Sequence, residues 1–507
     1  MSFLYKLFKN ILLFIMLVTS AYWLTVCIFN FNGITYSICF ALALLLLLII
    51  KYFNKFASLM NFLAQHKIVV AILLMCFQII LILSTKIMIR SDAAVIFNSA
   101  IGVKNKVEAS EYLSRNENNL FLFFYERFFY NIFGNNCVWI LQFLNIVYMD
   151  TFIFLSYKII KDYLGKDVGN TFFFINMFIL GFTPQFIATY TDIMILPFIA
   201  FQLFITLNLL NKNKYDGNSF LQLLLLGIIT GIGLLIRPTS IILDIAFFII
   251  CLITKRYKLF LSFIPCLIIS LSIFSIIHNS EKKSDTLDFV ENVSRNYLTF
   301  IDLGLTESGM DQIDFQNGLT MFFDPTSGLE NHGYDNRFSK EVVLKDINRR
   351  LENYTPRTFI RHLLIKSAFT FRDGTLGWVY SDSESDYFIN PLYDILKDNT
   401  FFNFFRTTFI YRNNKTYTIY AIFLQIVMCI MVLGLVISLY IELTEKNCND
   451  SFYFVLLSVF GGFLFLMIFE AGKSRYLIQF LPQISLISSI GISKLKKKWT
   501  QNKNEGK

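Results

Sequence analysis

The sequence runs to 507 residues, of which 55% are apolar and 16% charged, with a formal net charge of +9. A soluble domain carries about 25% charged and about 45–50% apolar residues, so the apolar surplus belongs against lipid and excludes a soluble globular chain. The Lys and Arg residues fall in short clusters between apolar runs and form no continuous basic face, which excludes nucleic acid as a partner and matches charge placement in membrane proteins.

Only helices or closed barrels satisfy their backbone groups in lipid, and a crossing helix needs about 20 residues. The run lengths fit helices, so the expected fold class is an all-α polytopic membrane protein with about twelve transmembrane helices. Lys6 and Lys9 precede an apolar run that continues to about Phe31, too long for a signal-peptide core, so the first span reads as uncleaved. Val26 before Cys27 disfavours lipoprotein processing. Spans at 10–30, 35–51 and 68–89 lead to an outer loop at 90–136. There Asn119–Gly134 mixes Leu120, Phe123, Phe124, Phe128 and Phe129 with Glu126 and Arg127, the pattern of a helix lying along the membrane interface. Further spans follow at 137–158, 168–189, 193–210, 219–236, 239–254 and 259–278. The pair flanking Arg237-Pro238 reads as a helical hairpin that stops short of a full crossing.

The stretch 279–415 is polar and aromatic, with turn signals at Asp324-Pro325, Ser327-Gly328, His332-Gly333 and Asp373-Gly374, so it reads as a small folded excursion. Spans at 417–441, 452–470 and 476–492 close the chain before a basic tail. The expected division is therefore an N-terminal transmembrane region 1–278 with about nine spans, an extracytoplasmic region 279–415, a C-terminal transmembrane region 416–493 with about three spans, and a tail 494–507. The eight cysteines lie in or beside apolar runs, which disfavours a disulfide framework. An abundance of Phe, Ile, Lys and Asn looks like codon pressure in an AT-rich genome and points to a low-GC bacterium.

Lys51, Lys55 and Lys67, Lys158, Lys161 and Lys166, Lys212 and Lys214, Lys255, Arg256 and Lys258, and the tail lysines all fall on one side of a strict alternation. The positive-inside rule makes that side cytoplasmic, with both termini. The other side receives 90–136, the turn at Tyr190-Thr191-Asp192 and the region 279–415.

Charges at membrane depth are costly and raise functional hypotheses. On the outer side stand Arg90 and Asp92, Asp192, Arg237, and Glu470 with Lys473 and Arg475, an arrangement suited to a phosphate or anionic headgroup. Each has a plain structural alternative. Asp92 suits a helix cap or an ion pair with Arg90, and Asp192 a cap for the next span. Arg237-Pro238-Thr239-Ser240 reads as a helix break, with Asp244 as a possible counter-ion of the arginine. Glu470 and Lys473 suit an i, i+3 pair that leaves Arg475 as the better phosphate ligand. His66, His278, His332 and His362 lack ligand spacing, so neither a histidine metal site nor a cofactor is expected, while a divalent cation held by carboxylates stays open. The sequence contains no P-loop, Gly-rich dinucleotide turn or nucleophile elbow, which moves ATP-driven transport and hydrolysis down the ranking.

Arg90-Ser91-Asp92, Glu111-Tyr112-Leu113-Ser114-Arg115-Asn116-Glu117-Asn118-Asn119, Tyr190-Thr191-Asp192, Ile236-Arg237-Pro238-Thr239-Ser240 and Glu470 with Arg475-Tyr476-Leu477 together resemble the glycosyltransferase C superfamily. These are integral membrane enzymes that use lipid-phosphate-linked sugars, and the resemblance is to bacterial members similar to protein mannosyltransferases. It implies an inverting transferase that takes a sugar from a polyprenyl-phosphate donor, with undecaprenyl phosphate as carrier. The acceptor would be an envelope glycan, teichoic acid or protein on the extracytoplasmic face. Asp92 would be the base, with Ala93 following it where many eukaryotic members carry a second acid. Arg475, Arg237 and Arg90 would hold the lipid phosphate. Tyr112, Asn118 and Asn119 would line the sugar or lipid entrance, with Asp192 and Glu470 also at the substrate, and 279–415 would shape the acceptor cleft. An envelope polysaccharide polymerase or ligase is the nearest alternative. A lipid or glycan transporter is the alternative from another class, and should show paired broken helices in two related halves.

Overall fold

The computed structural model describes residues 3–30, 36–89, 91–212, 215–309, 311–324, 326, 334–380, 388–445 and 449–505. The first membrane helices are α1 (Phe3–Phe29), α2 (Tyr36–Lys51), α3 (Phe53–Gln65) and α4 (Lys67–Ser84). A short strand β1 (Ile87–Ile89) precedes α5 (Ser91–Ala100), α6 (Lys106–Arg115) and α7 (Leu120–Phe133). The bundle continues through α8 (Cys137–Leu164), α9 (Lys166–Asn176), α10 (Thr191–Met194), α11 (Leu196–Asn211), α12 (Gly217–Ile236), α13 (Ile241–Ile253) and α14 (Tyr257–Lys282). A helical excursion holds α15 (Tyr297–Gly304), α16 (Gln312–Thr320), α17 (Lys340–Glu352), α18 (Pro356–Phe371), β2 (Phe388–Ile389), α19 (Tyr393–Leu396) and α20 (Thr400–Phe405). Three helices end the chain: α21 (Lys415–Glu445), α22 (Asp450–Phe469) and α23 (Leu481–Glu505).

Among the described residues, 9 helices are long and apolar enough to cross a membrane, or up to 10 if a bent pair in α2 and α3, with an 81° break, counts as one span. The twelve expected stretches are mostly helical where described, although 68–89 ends in β1, and three fall short of a full span. The stretch 168–189 breaks after α9 into a π-helical turn at Met177–Gly181 and a 3-10 turn at Pro184–Ile187, where Pro184 cannot continue a helical ladder. Of the hairpin expected to stop short, only the second helix does so: the 13 residues of α13 rise about 20 Å, less than the roughly 30 Å of hydrocarbon, whereas α12, with 20 residues, is long and apolar enough to cross. The third is α2, with 16 residues.

Hydropathy cannot drive helices together in lipid, so close packing and small residues do. A Cβ on Gly227 of α12 would stand 2.7 Å from the Cys266 carbonyl oxygen of α14, and the Ser270 hydroxyl donates to the Gly227 carbonyl at 2.8 Å. The region after α14 is stitched at both ends to the segment around β1 and α6. The Ser110 and Ser114 hydroxyls of α6 accept from the amides of Asp288 and Val290, and the Arg115 carbonyl accepts from the Arg295 amide at 2.9 Å. At the far end β2 pairs antiparallel with β1, Ile87 opposite Ile389, immediately before Asp92. Between them α15, α16 and α17 close over a small apolar cluster of Phe315, Leu319, Phe338, Val342, Val343 and Ile347. The excursion is also keyed into the bundle, since Trp23 of α1 stacks on Phe371 of α18 at 3.9 Å and its indole N–H donates to Ser367.

Candidate functional site

Asp192 lies in the first turn of α10, a helix N-terminus, which favours an anion; Arg237 caps the C-terminus of α12, which favours a cation. The two ends meet. Asp192 Oδ1 accepts from Arg237 Nη1, and Asp192 Oδ2 accepts from Arg475 Nε at 2.7 Å. The Asp192 side chain is 5% exposed, that of Arg237 11%, and that of Arg475 33%. One carboxylate therefore serves two guanidinium groups, leaving one surplus positive charge whose accessible portion is on Arg475.

This overturns three of the plain structural alternatives. Asp192 makes no cap hydrogen bond for α10; both its oxygens go to arginines. Asp244 is not the counter-ion of Arg237, because it accepts from Thr230 Oγ1 at 2.6 Å and Gln202 Nε2 at 3.3 Å inside the bundle. Glu470 and Lys473 form no salt bridge; Glu470 lies within electrostatic reach of Arg237, Asp192 and Lys366 as well as Lys473.

A polar chain runs outward from the triad. Arg475 lies over the Tyr190 ring at 4.6 Å, the Tyr190 hydroxyl donates to Asn119 Oδ1 at 3.3 Å, and Asn119 Nδ2 donates to the Tyr112 hydroxyl at 3.3 Å. Asn118 Nδ2 donates to Asn119 Oδ1 at 3.4 Å. On the inner side Arg237 Nε donates to Gln479 Oε1 at 2.9 Å, an oxygen it shares with the Thr239 hydroxyl. Asp92 opens α5 beside this chain, exposed, and its charge reaches Tyr112, Tyr190 and Arg295. Among the described residues it has no ion-pair partner. Arg90 lies outside the described residues.

Two residues of the site were not singled out from the sequence. Arg295 enters from the region after α14, its guanidinium 5.1 Å from the Phe338 ring, with its Nε buried and without a hydrogen-bond partner among the described residues. Burial lowers its pKa, and the Asp92 and Tyr112 side chains act against that by favouring its charge. Burial, then the neighbouring acidic groups Tyr190 and Asp92, raise the Tyr112 phenol above its ordinary range. Lys366 of α18 is fully buried and donates to the Gly304 carbonyl at 3.0 Å and the Met467 carbonyl at 2.8 Å. One ammonium thus caps the C-terminal ends of both α15 and α22, where a cation is favoured. Burial still pulls its pKa down to about 8, with the Glu470 charge opposing. A lone Arg and a lone Lys in a mixed polar stretch carry no local signal; only their burial marks them.

A multi-helix bundle whose buried Arg–Asp–Arg triad opens onto a line of tyrosine and asparagine side chains defines a polytopic membrane protein with a polar site at one end of its helices. The chain belongs to the family described as "Conserved hypothetical integral membrane protein", which matches residues 1–496. Among solved structures it is similar to ArnT from Cupriavidus metallidurans bound to undecaprenyl phosphate, at 11% identity and a TM-score of 0.33, over 84% of this chain and 77% of that one. No curated protein matches the sequence.

Proposed function

We propose that this protein is a membrane glycosyltransferase that moves a sugar from a polyprenyl-phosphate donor, with undecaprenyl phosphate as carrier, to an envelope acceptor on the extracytoplasmic face, with inversion. The observation that supports it is the exposed carboxylate of Asp92, without an ion pair among the described residues, set beside Tyr112, Tyr190 and Arg295 at the end of a polar chain that leads to Arg475. In this reading the acceptor hydroxyl attacks the anomeric carbon and its proton passes to Asp92. The bond from that carbon to the phosphate oxygen breaks, and its electron pair leaves on the polyprenyl phosphate. A phosphate is already a weak base and needs little help from an acid, so one carboxylate suffices. Arg475 is the cation of the triad best placed to meet the phosphate, with Arg295 a second; Arg237 holds Asp192 in place. Arg90 would join them. Tyr112, Asn118 and Asn119 line the entrance, and Glu470 and Asp192 act from behind by fixing the arginines. The region 279–415, tied to α6 and β1 on either side of Asp92, shapes the acceptor cleft.

The test is transfer from a synthetic polyprenyl-phosphate sugar by purified protein. Asp92→Asn should lower turnover by about 10²–10⁴-fold with donor binding retained, because general-base catalysis contributes that much. Arg475→Gln should instead weaken donor binding by about 10- to 150-fold, the worth of a charge-assisted phosphate contact. Normal turnover by Asp92→Asn would remove the base and favour a protein that binds the lipid headgroup without chemistry.

A further inference from the structure

At the ends of α11, α12 and α13 opposite the Arg–Asp–Arg triad, Leu209, Lys212, Tyr215 and Ser219 face Lys255–Leu259 across an open cavity of about 320 Å³. Its wall carries Lys212, Lys255, Arg256 and Lys258 together with Tyr215 and Tyr257. Two acids answer these four cations. Lys212 pairs with Asp216 at 3.3 Å, and Arg256 with Asp450 at 3.0 Å. Lys255 and Lys258 are exposed and have no ion pair among the described residues. The positive-inside rule accounts for cations on this side of the membrane, but not for four of them lining one cavity.

The backbone points the same way. Lys255 sits at φ 60°, and the Arg256 amide donates to the Cys251 carbonyl at 2.9 Å. This is the left-handed residue of a Schellman helix end, a place where glycine is the common choice and a side chain is strained. A lysine stands there despite that strain. From the cavity α12 and α14 run side by side in the same direction, in contact at Gly227 and Cys266. Leu221 and Leu225 of the first helix and Leu261 and Ile268 of the second are exposed just beyond the cavity. A phosphate-bearing headgroup in the basin would lay its acyl chains along these faces, with the exposed Tyr257 at the level of the headgroups.

We propose that this cavity is a binding site for the phosphate of an anionic phospholipid from the leaflet opposite the candidate site, held by Lys255 and Lys258 with Lys212 and Arg256 behind them. The ligand chemistry is a phosphate ester, and the lipid is its source. The site stands independently of the proposed transfer reaction.

The experiment uses the full-length protein in neutral detergent with phosphatidylglycerol, phosphatidylcholine or inorganic phosphate added, read by native mass spectrometry and by the melting temperature. The variant is Lys255→Gly/Lys258→Gln. Glycine suits the positive φ, so melting in phosphatidylcholine should hold or rise, which separates lost binding from misfolding. Phosphatidylglycerol should be retained by the wild type in preference to phosphatidylcholine and should raise its melting temperature. The variant should bind it about 30-fold more weakly, since each interfacial cation contributes about a fivefold factor. Lys258→Gln alone, at an exposed helix position, should show part of the loss. Unchanged phosphatidylglycerol preference in the double variant overturns the site. Equal protection by inorganic phosphate overturns the lipid as its source.

Discussion

Replacing Asp192 by Asn preserves the shape of the side chain and removes only its charge. The cap reading predicts no effect, because Asn caps a helix about as well as Asp. The structure predicts a large one. Both carboxylate oxygens are engaged, one by Arg237 and one by Arg475, and the Asn amide nitrogen would turn a donor toward one of these donors. Removing one partner of a buried ion pair costs about 3–5 kcal/mol. Arg475, with 33% of its side chain exposed, can regain water, so its share is discounted; Arg237, at 11%, cannot to the same degree. The expected loss is therefore near the lower bound, about 3 kcal/mol, or roughly 100-fold in the folding equilibrium. Reversible unfolding in mixed micelles measures it, with Asp92→Asn as the comparison, which should unfold like the wild type. Arg237→Gln in the Asp192→Asn background should recover part of the loss, since the stranded charge is then gone. A stability for Asp192→Asn within about 0.5 kcal/mol of wild type, the range of ordinary surface substitutions, would refute the triad as the structural centre of the site.

Lys366 gives a pH signature whose sign is fixed by its depressed pKa of about 8. Above its unfolded value of about 10.4 the amine is neutral in both states; as pH falls from there the unfolded chain takes up a proton that the folded one refuses, so stability drops until about pH 8 and then levels. Relative to Lys366→Met, the wild type should gain on the order of 1–3 kcal/mol between pH 8 and 10.5 in unfolding titrations, and a flat difference would mean the amine titrates normally. Gly227→Val should lower the melting temperature by forcing α12 and α14 apart, at a cost of about 1–3 kcal/mol, whereas an unchanged melt would place the close approach elsewhere. For orientation, a cysteine at the exposed Ile313 should react with an impermeant thiol reagent in intact cells and one at Lys258 should not; the reverse pattern would put the candidate site on the cytoplasmic side.

The sequence by itself determined the all-helical membrane character, most of the span boundaries and the short helix after Arg237-Pro238, because hydropathy, helix length and proline act locally. It also named Asp192, Arg237, Glu470 and Arg475, since a polar group at the end of an apolar run is visible without any partner, while Tyr112, Asn118 and Asn119 came from the family resemblance. The partners were decided by tertiary structure alone. Asp192 meets Arg237 from 45 residues away and Arg475 from 283, and β1 finds β2 across about 300 residues. Local pattern instead offered Asp244 to Arg237 and Lys473 to Glu470, the nearest opposite charges along the chain. The lateral order of helices in a bilayer leaves little trace in composition, because residues facing lipid and residues facing other helices are equally apolar. Which helix ends converge is therefore set by close-packed contacts such as Gly227 against Cys266, and those contacts decide which carboxylate sits between the arginines and which, like Asp92, is left open to the surface.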